Sequence, residues 1–276
     1  MAPAQSPRVS DRVAVLRAAI RRLEANPVLS EGEKTLVSSG HDRLDDLLGG
    51  GLARGALHDL HAKEAADSAA ATGFALGWAR RAAREREGRP IIWIAEEHSG
   101  WENGLPYGPG LAAHGLQPES LILVRTASLA DALWALEEAL HSSAPAAVIG
   151  EMTGFPRSYD LTASRRLLLA AQAGRNLGLL VFAGVGGSGE DATSAAAARF
   201  LVKSERSAAE PGGGPGRAAW RIEVKKNRAG RTGEFSVEWN HDDRIFADPA
   251  AVLRDRLPHP AYRPPAPTPQ VRRRSA

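Results

Sequence analysis

Apolar and polar residues follow each other along this chain in a pattern that predicts a repeating series of strands and helices. Short, mostly apolar segments are typical of strands that are buried on both faces. They are ALHDL (56–60), PIIWIA (90–95), LILVR (121–125), AAVIG (146–150) and GLLVFA (178–183). Helical periodicity fills the intervals at 68–86, 128–142 and 160–175. This alternation predicts an α/β fold in which helices cover a mainly parallel sheet.

The pattern changes beyond residue 198, where single apolar residues alternate with polar ones. The period of two is seen in RFLVKSER (199–206), AWRIEVKKN (219–227) and EFSVEWN (234–240). Such segments predict antiparallel strands near the edge of the sheet. The glycine- and proline-rich EPGGGPG (210–216) predicts a loop between two of them.

Both ends of the chain lack this central pattern. Residues 11–25 predict an amphipathic helix with an apolar face formed by Val13, Leu16, Ile20 and Leu23. That helix either packs on its own domain or docks on a partner. From residue 257 the chain is rich in proline and arginine, which predicts extended or disordered chain. The predicted units are an N-terminal helix and linker (1–34), a core domain (35–256) and a basic tail (257–276).

Composition narrows the class of protein. The chain has 276 residues, 43% hydrophobic and 24% charged, which is typical of a globular domain. It contains no cysteine, which excludes disulfides, thiol nucleophiles and zinc–thiolate sites. The N-terminus has no apolar segment of the secretory kind, and no uncharged apolar run reaches membrane-spanning length. We therefore expect a cytoplasmic protein without a membrane contact.

Positive charge is concentrated near the C-terminus. Six arginines and one aspartate give the segment from Arg254 onward a charge of +5, while the whole chain carries +3. This tail, which includes Arg272, Arg273 and Arg274, is either a solvated extension or a segment that attracts phosphates or an acidic partner.

The segment between the first strand and the first long helix lies where a nucleotide-binding protein has its phosphate loop. That loop needs glycines to wrap the phosphate, a lysine for its charge and a Ser or Thr for magnesium. No glycine lies between Ala56 and Thr72, and Lys63 is the one cation of residues 60–70. Asp67 adds negative charge, and Ser68 stands where the lysine belongs. We therefore expect a degenerate loop that uses neither ATP nor Mg²⁺ as a cofactor.

Carboxylates follow two other predicted strands. The strand AAVIG ends at Glu151, where a nucleotide-hydrolysing enzyme has a magnesium-binding Asp. In IAEEHSGW (94–101), Glu97 is a candidate general base that orients a water molecule. Together with His58 and His61, the Glu96–His98 segment also offers metal-ligand types, but no spacing brings them together, and we expect no metal site.

Two later segments have motif-like composition. GVGGSG (184–189) fits the dinucleotide pattern G-x-G-x-x-G, but no parallel strand–helix unit is predicted after it, so a surface loop is the better interpretation. Cations cluster around a strand end at Arg221, Lys225, Lys226, Arg228 and Arg231. They either contact phosphate or a neighbouring subunit, or form a basic edge that discourages strand pairing.

These landmarks, in this order, resemble the RecA superfamily over about residues 35–242. The segments that carry the resemblance are LVSSGHDRLDDLLGGGLARGALHDLHA (36–62), PIIWIAEEH (90–98), ATSAAAARFLVKSE (192–205) and RIEVKKNRAGRTGEF (221–235). The resemblance implies a RecA-like core. It gives Glu97 the water-positioning role, and it places Lys226 and Arg228 where RecA contacts a neighbour's nucleotide. Both ATP motifs depart from the RecA pattern, and neither DNA-binding loop has a clear counterpart.

A RecA-like chain of this length, with a basic N-terminal helix, degenerate ATP motifs and a Pro/Arg tail, resembles the ImuA family. Membership implies a non-catalytic accessory role in the SOS response to DNA damage and in mutagenic translesion synthesis. The implied partners are RecA, an ImuB-like Y-family protein and an error-prone DnaE-type polymerase. The basic strand end and tails add single-stranded DNA as a candidate partner. Two alternatives are a RecA-like ATPase that uses Lys63 or a neighbour's Lys226 as its phosphate-binding cation, and a cell-division inhibitor of the SulA type.

Overall fold

A computed structural model describes residues 35–97, 104, 106–184, 193–208 and 216–250. The predicted helix at 11–25 and the basic tail at 257–276, with Arg272, Arg273 and Arg274, lie outside these residues. The division into an N-terminal segment, a core domain and a tail therefore stays a prediction.

The described chain begins with a small antiparallel unit that leads into the main sheet. Strand β1 (Leu36–Val37) pairs with β2 (Leu52–Ala53), and α1 (Asp42–Leu48) lies between them in the chain. The His41 ring accepts a hydrogen bond from the Leu44 N–H and caps the start of α1. The helix ends at Gly49, whose φ of 80° is a conformation that glycine adopts readily.

The predicted strands and helices form, with ends shifted by a few residues. The strands that follow are β3 (Ala56–Ala62), β4 (Ile91–Glu96), β5 (Leu121–Thr126), β6 (Ala147–Thr153), β7 (Leu177–Ala183), β8 (Ala198–Glu205), β9 (Ala219–Asn227), β10 (Gly233–Asn240) and β11 (Ile245–Ala247). The helices are α2 (Ser68–Glu85), α3 (Gly108–Ala113), α4 (Leu129–His141) and α5 (Leu161–Gly174). Two 3₁₀ turns span Ala65–Asp67 and Pro118–Ser120.

These nine strands form one sheet in the order β11-β10-β9-β8-β3-β7-β6-β4-β5. All pairs from β8 to β5 along this order are parallel. The pairs β8–β9, β9–β10 and β10–β11 are antiparallel. The expected α/β class, with a mainly parallel sheet and antiparallel strands near the C-terminal end, is confirmed.

The antiparallel strands lie deeper in the sheet than their alternation predicts. Strand β8 is parallel to β3 on one side and antiparallel to β9 on the other, and β9 lies between β8 and β10. The short β11 takes the edge. Phe200 and Val202 of β8 are buried in the main hydrophobic core, which explains why this strand pairs on both sides. The interpretation of the β9 cations as an edge that blocks pairing is therefore wrong.

Hydrophobic layers cover the two faces of the sheet. On one face, α2 packs its Phe74 and Trp78 against Phe200, Trp220 and Phe246. The other layer lies under α4 and α5 and contains the buried residues Leu57, Leu136, Leu140, Leu167 and Leu180. Among the helices of the described residues, none combines the length and apolar character that crossing a membrane requires.

Candidate functional site

The carboxyl ends of the parallel strands form the edge at which α/β proteins usually bind ligands. At this edge the chain leaves β3 at Lys63, β4 at Glu97 and β7 at Gly184. The fold thus brings together the ends of the strands that the sequence marks as the phosphate loop, the candidate base and the glycine-rich segment.

The connection from β3 to α2 is short and tightly bound. The Lys63 N–H donates to the Val202 carbonyl of β8 at 2.9 Å. The 3₁₀ turn Ala65–Asp67 then leads directly into α2. The Lys63 side chain itself is exposed.

Asp67 occupies the place where a phosphate would meet the start of α2. Its carboxylate accepts hydrogen bonds from the Ser204 N–H at 2.8 Å and from the Ser204 hydroxyl at 2.7 Å. The Glu64 N–H donates to the same carboxylate at 3.2 Å. The side chain is only 3% exposed. A buried carboxylate here opposes an anion, because like charges repel strongly where water is excluded.

Ser68, the first residue of α2, is also fully engaged. Its hydroxyl donates to the Ala65 carbonyl at 2.7 Å and accepts from the Gly184 N–H at 2.8 Å. The second contact joins the helix start to the end of β7. The hydroxyl therefore fastens two elements of the fold.

The two acidic positions at the neighbouring strands have different surroundings. Glu97 is half exposed, and an Arg125 nitrogen lies 3.7 Å from its carboxylate. Glu151, at the expected magnesium position, is buried and accepts a hydrogen bond from the Trp93 indole N–H at 3.1 Å. The Glu97 carboxylate is therefore accessible to water, whereas the Glu151 carboxylate links β6 to β4 through the Trp93 indole.

The two histidines of β3, which are metal-ligand types by composition, point away from each other. His58 and His61 are three residues apart in β3 and so point to opposite faces of the sheet. The His61 ring stacks on Phe182 and Phe155, with centroids 4.6 and 5.7 Å away. The described residues contain no group of three His, Asp or Glu side chains suited to a metal ion, and His98 lies outside them.

The cations around the end of β9 have separate partners. Arg221 contacts Glu205 and Glu234, and Lys225 lies 3.0 Å from Glu223. Lys226 pairs with Arg199 of β8 and donates to the Ser194 carbonyl at 2.9 Å. Arg228 and Arg231 are exposed around the turn to β10. Of the five cations, only Arg228 and Arg231 present exposed guanidinium groups at the same turn.

A buried polar cluster lies under this surface, and the sequence interpretation did not include it. Asp59 of β3 is fully buried and accepts from the Ser194 hydroxyl at 2.6 Å and the Tyr159 hydroxyl at 3.0 Å. An Arg199 nitrogen lies 3.3 Å from the same carboxylate. Burial raises the pKa of Asp59, while the contacts to Ser194, Arg199 and Tyr159 oppose that rise. The cluster joins β3, β8 and the start of α5 and ends at Lys226.

Comparison with known proteins assigns the chain to a family. No protein-family model matches it. The protein ImuA of one strain of Caulobacter vibrioides is 30% identical over 222 residues, which cover 77% of this chain and 83% of the relative. The ImuA protein of a second strain of that species matches to the same extent. The chain belongs to the ImuA family. The family predicted from the sequence is confirmed.

Two further similarities add to the description of this ImuA-family chain. The cell division inhibitor SulA of Edwardsiella piscicida is 35% identical over 92 residues, or 33% of this chain and 48% of the relative. A crystal structure of the RadB recombinase superposes with a TM-score of 0.50 at 16% identity, covering 77% of this chain and 99% of that structure. At this identity the similarity shows the fold alone, and it agrees with the RecA-like core expected for the ImuA-family chain.

Proposed function

We propose that this ImuA-family protein is a non-catalytic accessory factor of DNA-damage-induced mutagenesis. It acts in the cytoplasm, within the SOS response, and supports error-prone translesion synthesis by binding other macromolecules. Its proposed partners are RecA, an ImuB-like Y-family protein, an error-prone DnaE-type polymerase and single-stranded DNA.

The observation that carries this proposal is the Asp67 carboxylate at the start of α2. It is held by Ser204 of β8, so that a negative charge is fixed where an ATP-binding loop places backbone donors and a lysine. ATP binding would require this carboxylate to give up its hydrogen bonds to Ser204 and the Glu64 N–H. A RecA-like fold with a carboxylate at this position is better suited to binding macromolecules than to holding ATP.

Nucleotide titration tests the non-catalytic part of the proposal. Fluorescent ATP with Mg²⁺ is titrated into the full-length protein, and into Lys63→Ala and Lys203→Ala variants. Lys203 is the matched control because its ammonium group is also near this loop, 3.7 Å from Glu64. We expect no saturable binding below about millimolar ATP in any of the three. Micromolar binding that disappears in Lys63→Ala and survives in Lys203→Ala would contradict the proposal and favour the ATPase alternative, which phosphate release would then test.

The proposed contacts with partners involve the exposed cations Arg228 and Arg231, together with the tail that contains Arg272, Arg273 and Arg274. The test is damage-induced mutation frequency in cells that lack the chromosomal gene and carry one variant each. Arg228→Ala with Arg231→Ala, or deletion of residues 257–276, should lower the frequency and weaken pull-down of the partners. Glu97→Gln should leave both unchanged. Loss of mutagenesis in Glu97→Gln would contradict a non-catalytic role.

The similarity to SulA over 92 residues favours one second candidate, inhibition of cell division. Overproduction in undamaged cells tests it, because an inhibitor of division produces long filaments without any DNA lesion. We expect cells of normal length. Filaments that form without damage would favour the SulA-type function.

A further inference from the structure

Four arginines form a cluster on the face of the sheet that carries α2. Arg80, Arg81 and Arg84 lie in the second half of this helix, and Arg244 lies in the turn between β10 and β11. Arg80 and Arg84 are four residues apart and therefore share one side of the helix. The Arg244 side chain packs on the backbone after α3, since a Cβ built on Gly115 would lie 2.8 Å from its Nε. These four residues are called the arginine cluster below.

The carboxylates near the arginine cluster are bound to other groups. Glu85 lies 3.2 Å from Arg54, Asp45 accepts from the Ser38 hydroxyl at 2.6 Å, and Asp243 accepts from the Asn240 amide at 2.8 Å. Within the described part of the chain, none of the four guanidinium groups has a carboxylate at ion-pair distance. The positive charge of the cluster is therefore not neutralised by direct contacts.

Two members of the cluster also have hydrogen-bond donors without an acceptor. The Arg81 side chain is only 9% exposed, and its Nε donates to the Ser38 carbonyl at 2.8 Å while its Nη1 has no partner. The buried Nε of Arg80 has no partner either. Burial, followed by the charges of Arg244, Arg84 and Arg81, lowers the pKa of Arg80. Unpaired buried donors and mutual repulsion both raise the free energy of the unbound protein, and a bound anion relieves both.

Aromatic residues lie on the segments that adjoin Arg244. The His241 ring, in the same turn, contacts the His114 ring edge to face, with centroids 5.8 Å apart. The His114 ring in turn stacks on Trp239 at 5.9 Å. Tyr107, at the start of the adjacent α3, is 72% exposed. Trp239 is fully buried, so the rings open to solvent here are the exposed Tyr107 and the partly exposed His241. Guanidinium groups together with accessible rings are the features by which proteins hold single strands, since phosphates meet the cations and bases stack on the rings.

We propose that the arginine cluster binds the phosphate backbone of single-stranded nucleic acid, with the neighbouring rings available for base stacking. The rings favour this ligand over an acidic peptide, which has no bases to stack. This site is separate from the cations at the end of β9 and from the basic tail. It also does not depend on the accessory function proposed above, because a mutagenesis factor and a protein of another function can bind a single strand equally well.

The test compares two full-length double variants that remove the same charge. Arg84→Ala with Arg244→Ala removes two exposed members of the arginine cluster. Arg157→Ala with Arg165→Ala removes two exposed arginines outside the cluster, before and within α5. Fluorescence anisotropy of a labelled oligothymidylate of about 20 nucleotides is measured between about 50 and 200 mM salt. Thermal unfolding of each variant confirms that the fold is kept.

We expect the cluster variant to bind the oligonucleotide about tenfold more weakly at 100 mM salt, with a salt slope reduced by about 1 to 1.5. The control variant should bind within about twofold of the unmodified protein, with an unchanged slope. Equal weakening in both variants, or none in either, would overturn the proposal. The proposal would also be overturned if the cluster variant bound polyglutamate more weakly than the unmodified protein but bound the oligonucleotide equally well.

Discussion

At the scale of single residues, the two histidines of β3 show how burial decides protonation. His58 and His61 are both almost inaccessible to water. Burial lowers the pKa of His58 to about 4 and, together with the charge of Arg199, lowers the pKa of His61 to about 3. The unfolded chain, with histidines near pKa 6.5, therefore binds more protons than the folded protein below that pH. The stability that these neutral rings allow is fully present above pH 6.5. It is lost as the pH falls through the folded pKa of each ring, about 4 for His58 and about 3 for His61.

Replacing His61 by Phe tests this effect while preserving the stacking on Phe155 and Phe182. Because the variant has no proton to gain at this position, its free energy of unfolding should depend less on pH. Between about pH 6 and 4 the unmodified protein should lose about 1.4 kcal/mol more per pH unit than His61→Phe. Urea unfolding at a series of pH values measures this difference.

The control for this experiment is His141→Gln, at an exposed position at the end of α4. Its pH dependence should match that of the unmodified protein. Protonation of Asp59, whose pKa burial raises, occurs in all three proteins and so cancels in the comparison. Identical pH slopes for His61→Phe and the unmodified protein would show that the His61 ring is not kept neutral.

At the scale of secondary-structure elements, the start of α2 depends on a contact with β8. Asp67 binds both the N–H and the hydroxyl of Ser204, so a residue at a helix start also fixes a strand. Asp160 offers a useful contrast, because it is an exposed residue that caps α5 by accepting from the Ala163 N–H at 2.8 Å. The two aspartates thus differ in burial and in whether their contacts are local.

Asp67→Ala should destabilise the protein more than Asp160→Ala. The first change removes a buried carboxylate that accepts three hydrogen bonds from Ser204 and the Glu64 N–H, and we expect a loss of about 2 to 3 kcal/mol. The second removes an exposed helix cap and should cost about 1 kcal/mol. Chemical unfolding followed by circular dichroism measures both. Equal losses would mean that the contacts of Asp67 with β8 contribute little.

The elements that the sequence predicted well are those with a local signal. Apolar segments of five or six residues located β3 to β7, and a leucine periodicity located α4, because neighbouring residues alone create these patterns. The pairing of β8 with β3 had no such signal, since it joins residues about 140 positions apart. The composition of 60–70 did show that the glycines, and the lysine at the start of the helix, are missing from the phosphate loop, but not that Ser204 binds Asp67.

Whether a candidate site could be predicted from the sequence also depended on how far apart its residues lie in the chain. Asp59 is visible in the sequence as a charged residue within an apolar strand, which was a signal that this strand has polar partners. Its partners Tyr159, Ser194 and Arg199 are distant in the chain, so the cluster itself required the fold. The arginine cluster also required the fold. The sequence predicts that Arg84 lies on a helix, but only the structure brings Arg244, in the turn between β10 and β11, next to that helix.

At the scale of the whole molecule, the described residues form one nine-stranded sheet between two hydrophobic layers. The described chain begins at residue 35, just before β1, and ends at residue 250, shortly after β11. The Ala250 N–H donates to the Glu238 carboxylate at 2.9 Å. Between these points most of the backbone takes part in helices or strands. Limited proteolysis can therefore test the predicted division into a core and two terminal segments.

Brief trypsin digestion of the native protein should first remove segments outside about residues 35–256, leaving a fragment that mass spectrometry identifies. Cleavage requires several residues of extended backbone, which helices and strands supply only after local unfolding. The Pro/Arg composition of the tail predicts fast cleavage beyond Arg254. Arg81 and Arg199 are buried and should resist until urea unfolds the protein, and that digest is the control. Early cuts within 106–184 would contradict a single core domain, because α4 and α5 share one hydrophobic layer with β6 and β7.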